Sequence, residues 1–132
     1  MLLLLIDSYE KDKSFEEAIS VALELTKQFP KESYFQQKLG TLYGWNKQFS
    51  AARTSFQQAL KLNSSNIAAI VHLARMDIIE NKYEDARIFL NQQLENFPQN
   101  ALIMAEISDS FLFEKNNSEA LLWIEKAQAQ VP

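Results

Sequence analysis

The sequence predicts an all-α protein, a solenoid of antiparallel helix pairs, and three observations predict it. Only two glycines, Gly40 and Gly44, and three prolines occur in 132 residues, too little turn chemistry for a many-stranded β fold. Apolar residues recur at helical spacing, as in Phe35, Leu39, Leu42 and Tyr43. The chain also repeats itself every 34 residues. Ala18, Ala52, Ala86 and Ala120 form one column, and Pro30, Ser64, Pro98 and Pro132 form another. Leu5, Leu39, Leu73 and Ile107 give a third, Tyr9, Tyr43, Asp77 and Phe111 a fourth, and Phe15, Phe49, Tyr83 and Asn117 a fifth. Five columns in one register divide the chain into copies 1–32, 33–66, 67–100 and 101–132, the first lacking two leading positions and the last two trailing ones.

Each copy reads as two helices. The opening run Leu2 to Ile6 has no basic segment before it and is ended by Asp7, so it reads as a buried helix of the fold and not as a secretion signal. Ser14 and Glu17 then have capping-box spacing at the start of a second helix. In the second copy, the polar break Asn46-Lys47-Gln48 separates the first helix from one carrying Ala52, Phe56, Ala59 and Leu60. Ser64, Ser65 and Asn66, and later Asn100, stand where caps belong before the first helices of copies three and four. The prolines close the second helices, which a ring without an N–H cannot continue. The all-alanine column predicts close helix approach, with Gly40 and Ala74 serving the same contact from the first helix. Helix 118–130 carries Leu121-Leu122-Trp123-Ile124, apolar around most of its circumference. One hairpin cannot cover both its apolar faces, so the copies stack into one array. This unclosed last helix, with the incomplete first copy, reads as part of a longer array or a self-associating end.

The residues Leu39-Gly40-x-x-Tyr43, Ala52, Phe56, Ala59 and a closing proline resemble the tetratricopeptide repeat (TPR), and the resemblance runs through the whole chain. Asp77, Gln93 and Asn117 depart from its usual residue types. The stretch from Leu39 to Lys126 is also similar to bacterial TPR lipoproteins of exopolysaccharide (PEP-CTERM) systems. The TPR resemblance implies a right-handed superhelix whose first helices line a concave peptide-binding surface.

Composition narrows the chemistry. With no cysteine there is no thiolate metal site or cysteine nucleophile, and His72 is the only histidine, so paired-histidine zinc sites are excluded. Glu16-Glu17 and Glu84-Asp85 open helices, where carboxylates favour the positive dipole end. No nucleotide, metal or cofactor motif is present, and the expectation is a protein without enzyme activity or cofactor. A net charge of −4 and a pI near 5.0 disfavour a nucleic-acid backbone or an anionic membrane. The RNA-reading pentatricopeptide repeat is disfavoured further, because the period here is 34. The compartment is not legible, and a cytoplasmic and a periplasmic home both stay open.

The expected partner is a protein or peptide. By the TPR resemblance, the inward places of each copy give Tyr34, Gln37, Lys38, Thr41 and Trp45, then Val71, His72, Arg75 and Ile78, then Leu102, Ala105, Glu106 and Asp109. Trp45 reads equally as a ligand anchor and as packing over the inter-helix turn. Arg75 and Asp109, one repeat apart in one column, are expected to pair, and His72 shares a column with Lys38 and Glu106. The two-carboxylate clamp of chaperone-binding TPRs would need other residues where Gln37, Thr41, His72, Leu102 and Glu106 stand. An alternative is a scaffold acting through its ends and through an outer patch of Ile88, Phe89, Leu122 and Trp123, with weak homodimerisation.

Overall fold

A computed structural model describes residues 2–131. Among them lie eight helices and no strand: α1 (Leu2–Lys11), α2 (Phe15–Gln28), α3 (Ser33–Trp45), α4 (Phe49–Leu62), α5 (Ile67–Ile79), α6 (Tyr83–Asn96), α7 (Ala101–Phe113) and α8 (Asn117–Ala129). Helices α3, α5 and α7 begin at Ser33, Ile67 and Ala101, the first positions of copies two, three and four. The chain forms two compact units, Met1–Ala69 and Ile70–Pro132.

In the first unit α1 packs on α2, α2 on α3 and α3 on α4. Ile6, Ala18, Ile19, Ala22, Leu25, Leu39 and Leu42 make the core, with Tyr9, Phe35 and Tyr43 packed against it. In the second unit α7 lies against both α6 and α8, around Leu90, Ile103 and Ile107. All four column alanines are buried. Volume is traded between two other columns. Where the first helix carries Gly40 the second carries Phe56, and where the first carries Ile6 the second carries Ala22. Each hairpin fills its space once, as close packing requires.

The turns inside the hairpins have a feature that the sequence reading missed. Lys13, Lys47, Asn81 and Lys115, one per copy, all lie in the left-handed region with φ of 58–67°. The residue after each donates its N–H back across the helix end, Ser14 to Tyr9, Gln48 to Tyr43, Lys82 to Asp77 and Asn116 to Phe111, each at 2.8 Å. With the matching bonds Lys13 to Glu10, Lys47 to Gly44, Asn81 to Ile78 and Lys115 to Leu112, these are Schellman caps. No glycine marks them.

Three expectations are corrected here. Ser14 is the N-cap of α2, but its side chain makes no cap hydrogen bond, so the Ser14–Glu17 box does not form. Ser14 is already the last residue of the Schellman turn, and its ψ of 67° departs from the extended geometry of a side-chain cap. The opening leucines form a helix, yet only Ile6 of α1 is fully buried. Leu4 is 71% exposed, and Leu3 and Leu5 are partly so, because α1 has the first unit's core on one face only. The last helix begins at Asn117, one residue earlier than expected. The other caps are where the sequence placed them. Asn66 Oδ1 accepts from the Ala69 N–H at 3.1 Å, and Asn100 Oδ1 accepts from Ile103 at the same distance.

Candidate functional site

In the second unit, α5 and α7 present neighbouring faces whose C-terminal halves enclose an open pocket of about 590 Å³. Its walls are Ile78 and Ile79 from α5 and Leu112 and Phe113 from α7. Asn81 and Tyr83 close it from the following turn and the start of α6, and Arg75 and Asp109 flank it. Phe113 is 64% and Leu112 55% exposed, and Ile79 is also exposed. A volume between about 300 and 1,000 Å³ with apolar walls and few polar groups is usual for a binding pocket.

Charge at this pocket is set by one triad. Arg75 Nε donates to Glu106 Oε2 at 3.0 Å and its Nη2 to Glu106 Oε1, a forked pair. Asp109 Oδ2 lies 3.5 Å from the same Nη2. Glu106 is only 2% exposed, and its hydrogen bonds to the guanidinium, more than Asp109, hold the Arg75 pKa above its ordinary value. The expected Arg75–Asp109 pair exists, but Glu106 is the main partner. Helical side chains lean toward the N-terminus, so the long Arg75 side chain meets α7 one turn before its own repeat equivalent. His72, one turn earlier on α5, has its pKa lowered by burial and then by Arg75. Tyr83 Oη donates to Asn81 Oδ1 at 2.8 Å and fixes the far rim. Behind it, Arg87 sits 4.1 Å over the Phe111 ring and pairs with Glu114 at 2.9 Å.

Ile78 is buried and reaches the pocket as part of its wall. Val71 and Ala105 are half-buried on the same two helices. Leu102 is exposed and borders a second shallow hollow with Ala101, Ala105, Ala127 and Val131. In the first unit, Lys38 pairs with Glu10 at 2.7 Å, so Lys38 and Glu106 each hold a partner of their own. Thr41 turns its hydroxyl to the Gln37 carbonyl at 3.1 Å. Tyr34 and Gln37 border a polar hollow with Lys31, Asn63 and Asn66. Trp45 is 52% exposed and sets its ring 6.0 Å from Phe15 at 52°, so one part of it packs over α2 and the other faces solvent. On the outer helices of the second unit, Ile88 and Leu122 are about half exposed, Phe89 and Trp123 are partly buried, and Lys126 lies 4.2 Å over the Trp123 ring.

Ile79, Leu112, Phe113, Asn81 and Tyr83 were not singled out from sequence. The signal for the first three was nonetheless in the sequence: Leu112 stands one repeat after Ile78, and Ile79 and Phe113 follow them directly. Asn81 and Tyr83 needed the turn geometry. Among the described residues no group of three or more His, Asp or Glu is placed to hold a metal ion, and no helix is long and apolar enough to cross a membrane.

Helix pairs repeating every 34 residues, with neighbouring first helices lining a pocket, define a helical-repeat protein. Residues 46–107 match the tetratricopeptide-repeat family model, and solved TPR proteins share the fold. A TPR protein from Parabacteroides merdae superimposes with a TM-score of 0.84 at 18% identity, over 99% of this chain and 51% of its own. MamA from Desulfovibrio magneticus RS-1 gives 0.75 at 16% identity, over 99% of this chain and 74% of its own. YrrB, described as a TPR protein with an unusual peptide-binding site, gives 0.72 at 19%, over 96% of this chain and 66% of its own. The chain thus spans about half the length of the Parabacteroides merdae protein. No curated protein sequence matches the chain.

Proposed function

We propose that the chain is a non-enzymatic protein-interaction module that binds a peptide segment of a partner on the face of α5 and α7. The carrying observation is the pocket itself. It is the place in the second unit where exposed aliphatic and aromatic walls, Ile79, Leu112 and Phe113, converge beside a polar pair, the pattern of an anchor side chain held within a polar rim. Stacked helical hairpins are a fold of protein-interaction modules, which supports the reading.

Selection from a random peptide library displayed on phage tests it. Selected peptides should bind the wild type and lose at least about tenfold in affinity to Phe113→Ser, an exposed position whose change spares the core. They should keep their affinity for Leu122→Ser. The reverse pattern would move the site to the outer patch. That patch carries the second reading, self-association through Ile88, Phe89, Leu122 and Trp123. The half-exposure of Ile88 and Leu122 favours it, and the double variant Leu122→Glu/Trp123→Glu, sedimented beside the wild type, checks it.

A further inference from the structure

We propose that the α5–α7 pocket selects a segment in which an apolar side chain is followed closely by a lysine or arginine, with Asp109 receiving the cation. This rests on the reading of the pocket as a peptide site and adds its charge preference. Charge balance sets this preference. Arg75, Glu106 and Asp109 together carry one net negative charge. The guanidinium spends its Nε and one face of Nη2 on buried Glu106, while Asp109 holds only the looser 3.5 Å contact and keeps its side chain 43% exposed. Asp109 therefore offers the solvent-side carboxylate at the pocket edge, beside an Arg75 side chain that is itself 47% exposed. Nearby charges do not reverse it, since Arg87 is paired with Glu114 and Lys82 with Glu80 at 3.0 Å.

An incoming carboxylate would meet two carboxylates around a guanidinium already engaged by both, and like charges in that arrangement repel. A cation at Asp109 is repelled by Arg75 but attracted by two carboxylates, so the balance at this net-negative cluster favours it. It gains Asp109 without having to separate Arg75 from Glu106. Ile78, Ile79, Leu112 and Phe113 take the neighbouring apolar side chain. The preference is the opposite of a clamp for terminal carboxylates.

Three end-blocked peptides that differ at one place test this: a Leu-Phe core followed by lysine, by norleucine or by glutamate. Titrations followed by NMR shifts of the second-unit amides read dissociation constants in the weak range expected of such short probes. The lysine peptide should bind about two- to fivefold tighter than the norleucine one, the usual span for a solvent-facing ion pair. The glutamate peptide should bind weakest. Asp109→Asn should erase the lysine preference, and Phe113→Ser should weaken all three peptides together. A glutamate peptide that binds as well as the lysine peptide, or a lysine preference unchanged in Asp109→Asn, overturns the charge assignment. If Phe113→Ser still weakens binding in that case, the peptide site itself stands. If neither variant changes any titration, both the preference and the site fall.

Discussion

Gly40 lies face to face with Phe56: a Cβ built on the glycine would sit 2.6 Å from Cε1 of the ring and 2.7 Å from Cδ1. The contact joins α3 to α4 within one hairpin, and both residues are buried. The glycine is there for closeness and not for backbone freedom, since its φ is helical.

Gly40→Ala should therefore lower stability by roughly 1–2 kcal/mol, as overpacking outweighs the gain in helix propensity that alanine brings. Phe56→Leu shortens the opposing side chain, so the double variant should lose less than the two single losses added, by about 0.5 kcal/mol or more. Urea unfolding of the four proteins measures this. An alanine variant more stable than the wild type would mean that the two helices sit farther apart than described.

The four left-handed turn residues make a second test. A lysine in that region costs about 1 kcal/mol or more relative to glycine. Lys47→Gly and Lys115→Gly should each stabilise by up to about 1 kcal/mol, and Asn81→Gly by less, because asparagine tolerates that region better. Lys47→Val should destabilise, because a branched Cβ fits there poorly. If Lys47→Gly and Lys47→Val unfold at the same denaturant concentration, the turn is not left-handed.

The pH dependence follows from His72, whose pKa is lowered in the fold, first by burial and then by Arg75. The unfolded chain binds the proton near the ordinary value of 6.5, more readily than the folded one. The native state thus keeps its full stability above that value and loses stability as pH falls below it. Thermal melts should drop between about pH 7.5 and about pH 5.5, and His72→Gln should show a smaller drop over the same interval. An identical drop in both proteins would place the sensitivity on other groups.

How much was legible depends on how local the cause is. The alanine column, the helix starts at Ser33, Ile67 and Ala101, and the caps at Asn66 and Asn100 answer to spacing along one helix, and sequence reading found them. The Ser14–Glu17 box had the right spacing, but Ser14 was already committed to the turn closing α1. The Schellman turns at Lys13, Lys47, Asn81 and Lys115 repeat in register, yet no residue type announces them. Of the pocket, Arg75, Ile78 and Asp109 were legible as inward places. That Glu106 would be buried as the chief partner of Arg75 was not, because column logic pairs equal places while the side chain leans a full turn away.

The sequence by itself determined the helical hairpins and their 34-residue spacing, because small, aromatic and helix-closing residues recurring at that period mark where each helix runs and which of its faces is apolar. The tertiary structure alone decided which of the inward residues remain available. Burial of Glu106 against Arg75, the pairing of Lys38 with Glu10 and the half-covering of Trp45 by Phe15 each depend on how far a side chain reaches across to a neighbouring helix, a distance that spacing along the chain does not encode.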